Sequence, residues 1–66
     1  MPSTVIKSFT YDESVERLRI VFQTGKVYDY LKVPKVIYEE MKAAFSKGIY
    51  FNEKVKPYYN CEKISD

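Results

Sequence analysis

The stretch Gly25-Lys26-Val27-Tyr28-Asp29-Tyr30-Leu31 places two tyrosines one residue apart near the centre of a chain of 66 residues. Side chains two residues apart in a β-strand lie on the same face of a sheet, so Tyr28 and Tyr30 share a face if this stretch is extended. Their rings then either pack in a core or form an exposed platform on which unpaired bases stack. The register against the neighbouring strand decides between these alternatives.

A strand over residues 17–22 is predicted immediately before this stretch, with Leu18, Ile20 and Phe22 on one side. A two-residue Thr24-Gly25 loop would set Ile20 opposite Asp29 and bury a carboxylate, which is strongly unfavourable. A three-residue loop with Gly25 in the left-handed conformation avoids this cost. In that register the opposed pairs are Ile20 with Tyr28, Leu18 with Tyr30, and Arg19 with Asp29. We therefore predict that both tyrosine rings lie in the core.

The opposite face of this hairpin is mixed in character and carries no aromatic ring, unlike the base-stacking sheet of an RNA recognition motif. Its members are Arg17, Arg19, Val21, Val27, Asp29 and Leu31. Val21, Val27 and Leu31 form an apolar strip, and a three-stranded sheet has two unpaired edges. This face or an edge is a candidate surface for a protein partner or for self-association.

Outward from the hairpin, residues 4–11 predict a first strand with a bulge near Ser8, followed by a turn at residues 12–14. Val33-Pro34 ends the third strand and starts a helix, and Ser46 caps a second short helix that runs to about Val55. Residues 1–3 and 60–66 are expected to be frayed. The predicted fold is α+β, a three-stranded antiparallel β-meander with two C-terminal helices on one face, in a single domain over residues 1–66.

Composition excludes several functional classes. The chain has no histidine, which removes Ser-His and Cys-His nucleophile pairs and His-containing metal sites, and we expect neither catalysis nor a cofactor. Cys61 is the only cysteine, so the chain cannot form an internal disulfide. We interpret it as an incidental thiol in a protein of a reducing compartment. The start of the chain lacks a signal-peptide pattern, and no stretch is apolar enough to span a membrane. A cytoplasmic protein with no membrane contact is expected.

The candidate binding residues lie in the second helical region. The net charge of the chain is only +2, but residues 42–58 contain four lysines and one acid, a local charge of +3. Ser46-Lys47-Gly48 at a helix start either caps the helix or contacts a phosphate. Lysines attract phosphates and exposed rings stack on bases. If the protein binds RNA, we therefore expect the contact in this second helical region. The candidates are Ser46, Lys47, Gly48, Tyr50, Asn52, Lys54, Lys56 and Tyr58.

Taken together, an ordered set of short motifs resembles the KTSC domain. The motifs are residues 3–6, Tyr11-Asp12, residues 18–22, residues 25–30, Val33-Pro34, Tyr38, Ser46-Lys47-Gly48 and Phe51-Asn52. This family occurs at the C-terminus of some lysyl-tRNA synthetases and as small bacterial proteins, and a central Tyr-x-Tyr is its hallmark. The chain departs from it at Phe45, where a smaller residue or Pro is expected, and at Tyr59, where Pro is expected.

The resemblance and the lysine distribution point to the same function. The synthetase context implies RNA binding, with tRNA or single-stranded RNA as the ligand and a bacterial or phage origin for the chain. We therefore expect a non-catalytic small binding module whose RNA-binding region lies on the second helix. The alternative is a protein-protein interaction module that uses the open sheet face, through Val21, Val27 and Leu31, or a sheet edge.

Overall fold

The computed structural model describes residues 6–65. Its strands and helices follow one another largely in the predicted order. They are β1 (Ile6–Asp12), β2 (Arg17–Phe22), β3 (Val27–Tyr30), α1 (Lys35–Ala43), α2 (Lys47–Tyr50), a π-helical segment (Phe51–Val55) and β4 (Cys61–Ser65). The strands form one antiparallel sheet in the order β1-β2-β3-β4. The α+β class and the antiparallel meander are confirmed, but the sheet has four strands where three were predicted.

The β2–β3 hairpin has the predicted register. Leu18 pairs with Tyr30 and Ile20 with Tyr28, while Asp29 pairs with Arg19 on the opposite face. Gly25 has φ of +94°, and nothing lies within 4 Å of the position a Cβ would occupy there. Glycine is therefore favoured at this position by backbone conformation and not by crowding. The three-residue loop that places both tyrosines on the helix side is confirmed.

The first strand is irregular where the sequence predicted a bulge. The pairing of β1 with β2 shifts register between Ile6 and Ser8, which lets Ile6 and Phe9 both pack against the core. The turn after β1 is also confirmed, because the Asp12 Oδ1 atom accepts hydrogen bonds from the backbone N–H and the hydroxyl of Ser14, at 3.1 and 2.6 Å. Residues 4 and 5 of the predicted strand lie outside the described residues.

A fourth strand replaces most of the predicted frayed tail. Cys61–Ser65 forms β4 and pairs antiparallel with β3, with a register shift between Val27 and Tyr28. The preceding residue helps to hold it, since the Leu31 N–H donates to the Asn60 carbonyl at 2.8 Å. The prediction of fraying over residues 60–66 was wrong for residues 61–65, because backbone pairing to an open strand edge needs no apolar pattern in the added strand. Residues 1–3 lie outside the described part of the chain.

The helices begin and end near the predicted positions. Pro34 precedes α1, and the Ser46 Oγ atom accepts from the Ile49 N–H at 3.3 Å at the start of α2. The second helical region extends to Val55 as predicted, but its last part is π-helical: the Lys56 N–H donates to the carbonyl of Phe51, five residues earlier, at 2.9 Å. Within residues 6–65, no helix is long and apolar enough to cross a membrane.

The core lies between the sheet and the helices. Its buried members are Leu18, Ile20, Tyr30, Val33, Met41, Phe51 and Val55. Tyr28 is half-buried and packs against the same cluster. The π-helical segment contributes both Phe51 and Val55 to this core, so the helix and the hairpin are packed directly against each other. Their junction forms a cleft beside the β2–β3 hairpin.

The sheet face opposite the helices is not simply open. Asp29 is 2% exposed there, because its carboxylate is covered by two arginines. The Arg19 Nε and Arg17 Nη1 atoms lie 2.7 and 3.2 Å from it. Arg17 also pairs with Glu62 of β4 at 3.2 Å. The register predicted from the sequence thus keeps Asp29 out of the apolar core but still buries it.

Candidate binding site

The eight candidate residues do not form one surface. Ser46, Lys47 and Gly48 line a groove beside β1, whereas Asn52 and Lys56 line a cleft beside the β2–β3 hairpin. Tyr50, Lys54 and Tyr58 line neither of these concavities. Five of the eight predicted residues are therefore divided between two concave regions, and the other three lie in neither.

The first region, here called the β1 groove, has a volume of about 610 Å³. Its lining residues are Ile6, Lys7, Ser8, Phe9, Phe45, Ser46, Lys47 and Gly48. The side chain of Phe45 is fully exposed beside it. Phe45 is one of two positions, with Tyr59, at which a departure from the expected family pattern was predicted, and that departure stays a prediction.

The polar groups of the β1 groove are already engaged in local structure. The Ser46 hydroxyl caps α2, and the Lys47 Nζ atom donates to the Ala44 carbonyl at 2.8 Å. Gly48 is buried. These contacts match the capping interpretation of Ser46-Lys47-Gly48, and a phosphate contact at these residues stays a prediction.

The second region, here called the hairpin cleft, has a volume of about 580 Å³ and lies between the hairpin, the π-helical segment and the start of β4. Its lining residues are Phe22, Gln23, Thr24, Lys26, Tyr28, Tyr30, Phe51, Asn52, Lys56 and Cys61. Concave surfaces of this size that combine aromatic walls with a few polar groups are typical of ligand sites. π-Helical turns are also frequent at functional sites.

Four aromatic rings form the floor of the hairpin cleft. The Phe22 ring packs edge-to-face against Tyr28 and Phe51, at centroid distances of 5.8 and 5.7 Å. Phe51 makes the same kind of contact with Tyr30 at 5.2 Å. Each ring is therefore held by at least one other, which gives the floor a fixed shape.

The Tyr30 hydroxyl lies beside the thiol of Cys61 at the β4 side of the cleft. Burial, and secondarily the neighbouring thiol, raise the pKa of Tyr30 above its usual value. The phenol is therefore neutral at physiological pH. It adds a polar but uncharged group to an otherwise apolar wall.

The charged groups of the hairpin cleft are all cations. Lys26 lies on the hairpin side and Lys56 on the helix side, and both are exposed. No carboxylate is present among the described residues that line it. Lys54, two residues before Lys56, is also exposed and has no ion-pair partner within residues 6–65. The side chains that line the cleft therefore carry only positive charge.

The two tyrosines predicted as stacking surfaces differ in their surroundings. Tyr50 donates a hydrogen bond from its hydroxyl to the Glu40 Oε1 atom at 2.7 Å. Burial, followed by the contact with this carboxylate, raises the pKa of Tyr50 to about 12. Tyr58 is 72% exposed, so its ring is accessible. Tyr50 is thus occupied within the fold, while Tyr58 is accessible to a ligand.

The sequence did not single out the hairpin side of the cleft. Gln23, Thr24 and Lys26 were read only as a turn, and Phe22 only as a core residue. Tyr28 and Tyr30 were correctly placed facing the helices. Tyr30 contacts Phe51 of the π-helical segment directly, and Tyr28 is joined to Phe51 through Phe22. The Gly25-Lys26 pair was a usable signal. Lys26 lies between the tight turn and the strand that carries Tyr28 and Tyr30, and alternation along a strand places it on the same face as these two rings.

The sheet face proposed for a protein partner is partly covered by its own charges. Val21, Val27 and Leu31 are half-buried, and the Arg17–Asp29–Arg19 cluster lies on the same face. The edge of β3 is covered by β4, so the two edges of the described sheet are β1 and β4. The apolar strip exists, but it is smaller and more polar in its surroundings than the sequence suggests.

The charge state of this ion cluster follows from its contacts. The hydrogen bond from Arg19 lowers the pKa of Asp29 below its usual value, against the opposing effect of burial, and Arg17 lowers it further. Asp29 is therefore ionised at neutral pH. With both carboxylate oxygens bound by guanidinium groups, it is not available as a general base.

These features define a class of small α+β domain in which an antiparallel sheet, covered on one face by helices, carries an aromatic cleft. Residues 2–59 match the family model of the KTSC domain. The chain belongs to the KTSC domain family, and the resemblance seen in the sequence is confirmed.

Similar proteins come from several bacteria. A lysine–tRNA ligase of Nostoc punctiforme is 40% identical over 62 residues, 94% of this chain. This chain spans only 11% of the length of that ligase. A protein of Stutzerimonas stutzeri is 32% identical over 86% of this chain and 80% of its own length. The crystal structure of a KTSC domain protein from Yersinia pestis superposes with a TM-score of 0.90, at 34% identity, over 98% of this chain and 92% of that one.

Proposed function

We propose that this protein is a non-catalytic RNA-binding module that holds a single-stranded segment of RNA along the hairpin cleft. The observation that carries the proposal is the cleft itself, an aromatic floor with Lys26 and Lys56 on its two rims and no described acid in its lining. Rings and unpaired lysines together are the combination with which proteins bind unpaired nucleotides.

The lysines supply the sequence-independent part of the affinity. Lys26, Lys54 and Lys56 are exposed and have no ion-pair partner among the described residues. Neutralising three phosphates of a single strand gives a slope of about −2 in a plot of log affinity against log salt concentration. Modest affinity with strong salt dependence is therefore the expected behaviour of this surface.

The relatives support RNA as the ligand. The lysine–tRNA ligases that resemble this chain act, by their names, on tRNA, and the similar segment makes up about a tenth (11%) of the Nostoc punctiforme ligase. A segment of that size within a tRNA-charging enzyme suits an auxiliary contact to the nucleic acid. Since the present chain has no histidine and the one buried carboxylate among its described residues is bound by arginines, binding and not catalysis is proposed for it.

The test compares two double variants of equal charge. In Lys54→Gln with Lys56→Gln, the cations next to the cleft are lost; in Lys35→Gln with Lys42→Gln, two exposed lysines of α1 are lost instead. We expect the first pair to weaken binding of fluorescein-labelled decauridylate and of a tRNA transcript by about tenfold at low salt, and the second by about twofold or less. Fluorescence anisotropy measures both.

Two results would contradict the proposal. The first is that the unmodified protein binds neither RNA at about 20 mM salt, where phosphate contacts are strongest. The second is that both double variants weaken binding equally, which would indicate a general attraction to a basic protein and no defined site. Circular dichroism of each variant shows whether the fold is retained.

A further inference from the structure

We infer that the hairpin cleft accepts one unpaired nucleobase of the bound strand, with the flanking phosphates held outside it by Lys26 and Lys56. The inference rests on the proposed RNA-binding function and specifies which part of the ligand enters the cleft. It is drawn from the polar groups of the rim and the aromatic floor, and not from the positive charge.

The rim carries two side-chain amides that face the same space. Gln23 lies on the hairpin loop and Asn52 on the π-helical segment, and both are exposed. Neither amide has a hydrogen-bond partner among the described residues. Each amide offers both a donor and an acceptor.

This mixture of donors and acceptors discriminates between ligand chemistries. A phosphate or a carboxylate accepts hydrogen bonds only, so a site for either group needs donors alone. The edge of a nucleobase presents donors and acceptors side by side, which amide side chains match. Gln23 and Asn52 are therefore better suited to a base edge than to the anionic backbone, while the two lysines suit the backbone.

The floor supports the same assignment. Phe22, Tyr28 and Phe51 form a connected set of edge-to-face contacts, and Tyr28 remains half-buried, so part of its ring borders the cleft. A base that enters the cleft replaces water on this apolar surface. Its hydrogen-bonding edge can meanwhile stay at the polar rim.

The β1 groove is similar in volume but lacks these free polar groups. Its serine hydroxyl is used as a helix cap and its Lys47 ammonium is bound to a backbone carbonyl. It offers the exposed Phe45 ring without an accompanying amide. The Phe45→Ala variant therefore serves as a control in which aromatic surface is lost outside the proposed base site.

The experiment compares two ligands of the same length and charge, an octauridylate and an abasic ribose-phosphate octamer. For the unmodified protein we expect the octauridylate to bind at least about fivefold more tightly than the abasic octamer. In Asn52→Ala and Gln23→Ala this ratio should fall towards one through weaker octauridylate binding, with abasic binding unchanged. In Phe45→Ala the ratio should stay as in the unmodified protein. Both amides are exposed, so their removal should leave the fold intact.

The outcomes separate the two proposals. If both octamers bind with equal affinity, the base site is excluded while RNA binding through phosphates stands. If Phe45→Ala lowers the ratio and the amide variants do not, the base enters the β1 groove and the inference is wrong. If neither octamer binds, the proposed function itself fails. Titration with uridine 5′-monophosphate, followed through the amide shifts of residues 23–26 and 52, then tests the base site alone. No shift at these residues excludes the base site as well.

Discussion

The two faces of the β2–β3 hairpin bury residues by opposite means. On the helix side, Ile20 and Tyr30 are buried among apolar side chains. On the other side, Asp29 is almost as inaccessible, but it is surrounded by the guanidinium groups of Arg17 and Arg19. A single alternating sequence thus builds an apolar core and an ion cluster on consecutive residues.

The difference indicates what each face contributes. Apolar burial provides most of the folding free energy of a small domain. The ion cluster contributes little net stability, because desolvation offsets much of the attraction, but it makes one register acceptable and the neighbouring one very unfavourable. A slip by one residue would move Asp29 into the core and Tyr28 and Tyr30 out of it.

The largest expected loss of stability comes from truncating one of two adjacent residues whose side chains lie on opposite faces of the sheet. Ile20→Ala removes a side chain with no exposed surface, and we expect a loss of about 2–5 kcal/mol in the free energy of unfolding. Val21→Ala, on the half-buried opposite face, should cost clearly less, about 1 kcal/mol. Urea denaturation measures both. Equal losses would show that the face opposite the helices is as tightly packed as the core.

A smaller effect is expected from removal of the buried charge. Asp29→Asn keeps the shape but leaves two guanidinium groups without their carboxylate, and we expect a loss of about 1–3 kcal/mol, since both arginines are partly exposed and can be rehydrated. Glu62→Gln, which affects an exposed pair, should cost about 0–1 kcal/mol. If Asp29→Asn is neutral in urea denaturation, rehydration of the two arginines fully offsets loss of the carboxylate, and the expected loss of stability is wrong.

The free energy of unfolding is also expected to depend on pH through the Asp29 carboxylate. Because the pKa of Asp29 is lower in the folded protein than in the unfolded chain, its contribution is complete above the unfolded value of about 3.9 and is lost as pH falls through the folded value. The difference in unfolding free energy between the unmodified protein and Asp29→Asn should therefore shrink below about pH 4. A difference that stays constant down to pH 2 would rule out this linkage.

The smallest effect concerns the contact between α1 and α2. Tyr50→Phe removes the hydrogen bond to Glu40 and should cost about 0.5–1.5 kcal/mol. Because the pKa of Tyr50 is raised to about 12, this contribution is present below the unfolded value of about 10 and is lost as pH rises towards 12. Thermal unfolding at pH 8 and pH 11 tests the sign. A larger effect at pH 11 would contradict it.

The sequence predicted the hairpin because its physical constraints are local. Gly25 sets the loop, and the alternation around Asp29 permits only one register without burying a carboxylate among apolar side chains. The bulge near Ser8 followed from the spacing of Ile6 and Phe9 in the same way. These features depend on residues that are neighbours in sequence or in one strand pair.

The fourth strand and the hairpin cleft were not predicted, for related reasons. Every residue of β4 is exposed, so no alternation of apolar and polar positions marks it as a strand. The cleft combines Lys26, Asn52 and Cys61, which come from three separate elements. Sequence reasoning found the helical part of this site through its lysines but had no means of placing the hairpin loop opposite them.

The π-helical segment has a consequence for how this family can vary. Its wider turn accommodates one more residue than an α-helix between Phe51 and the Lys56 amide to which it is bonded. Loss of a single residue from this segment would restore ordinary helical winding, with the Lys56 amide bonded to a carbonyl four residues earlier, and would leave the following side chains on nearly the same side of the helix. A chain one residue shorter here would therefore keep Lys56 on the same side of the helix and differ within the turn itself, where Asn52 and the buried Phe51 and Val55 lie.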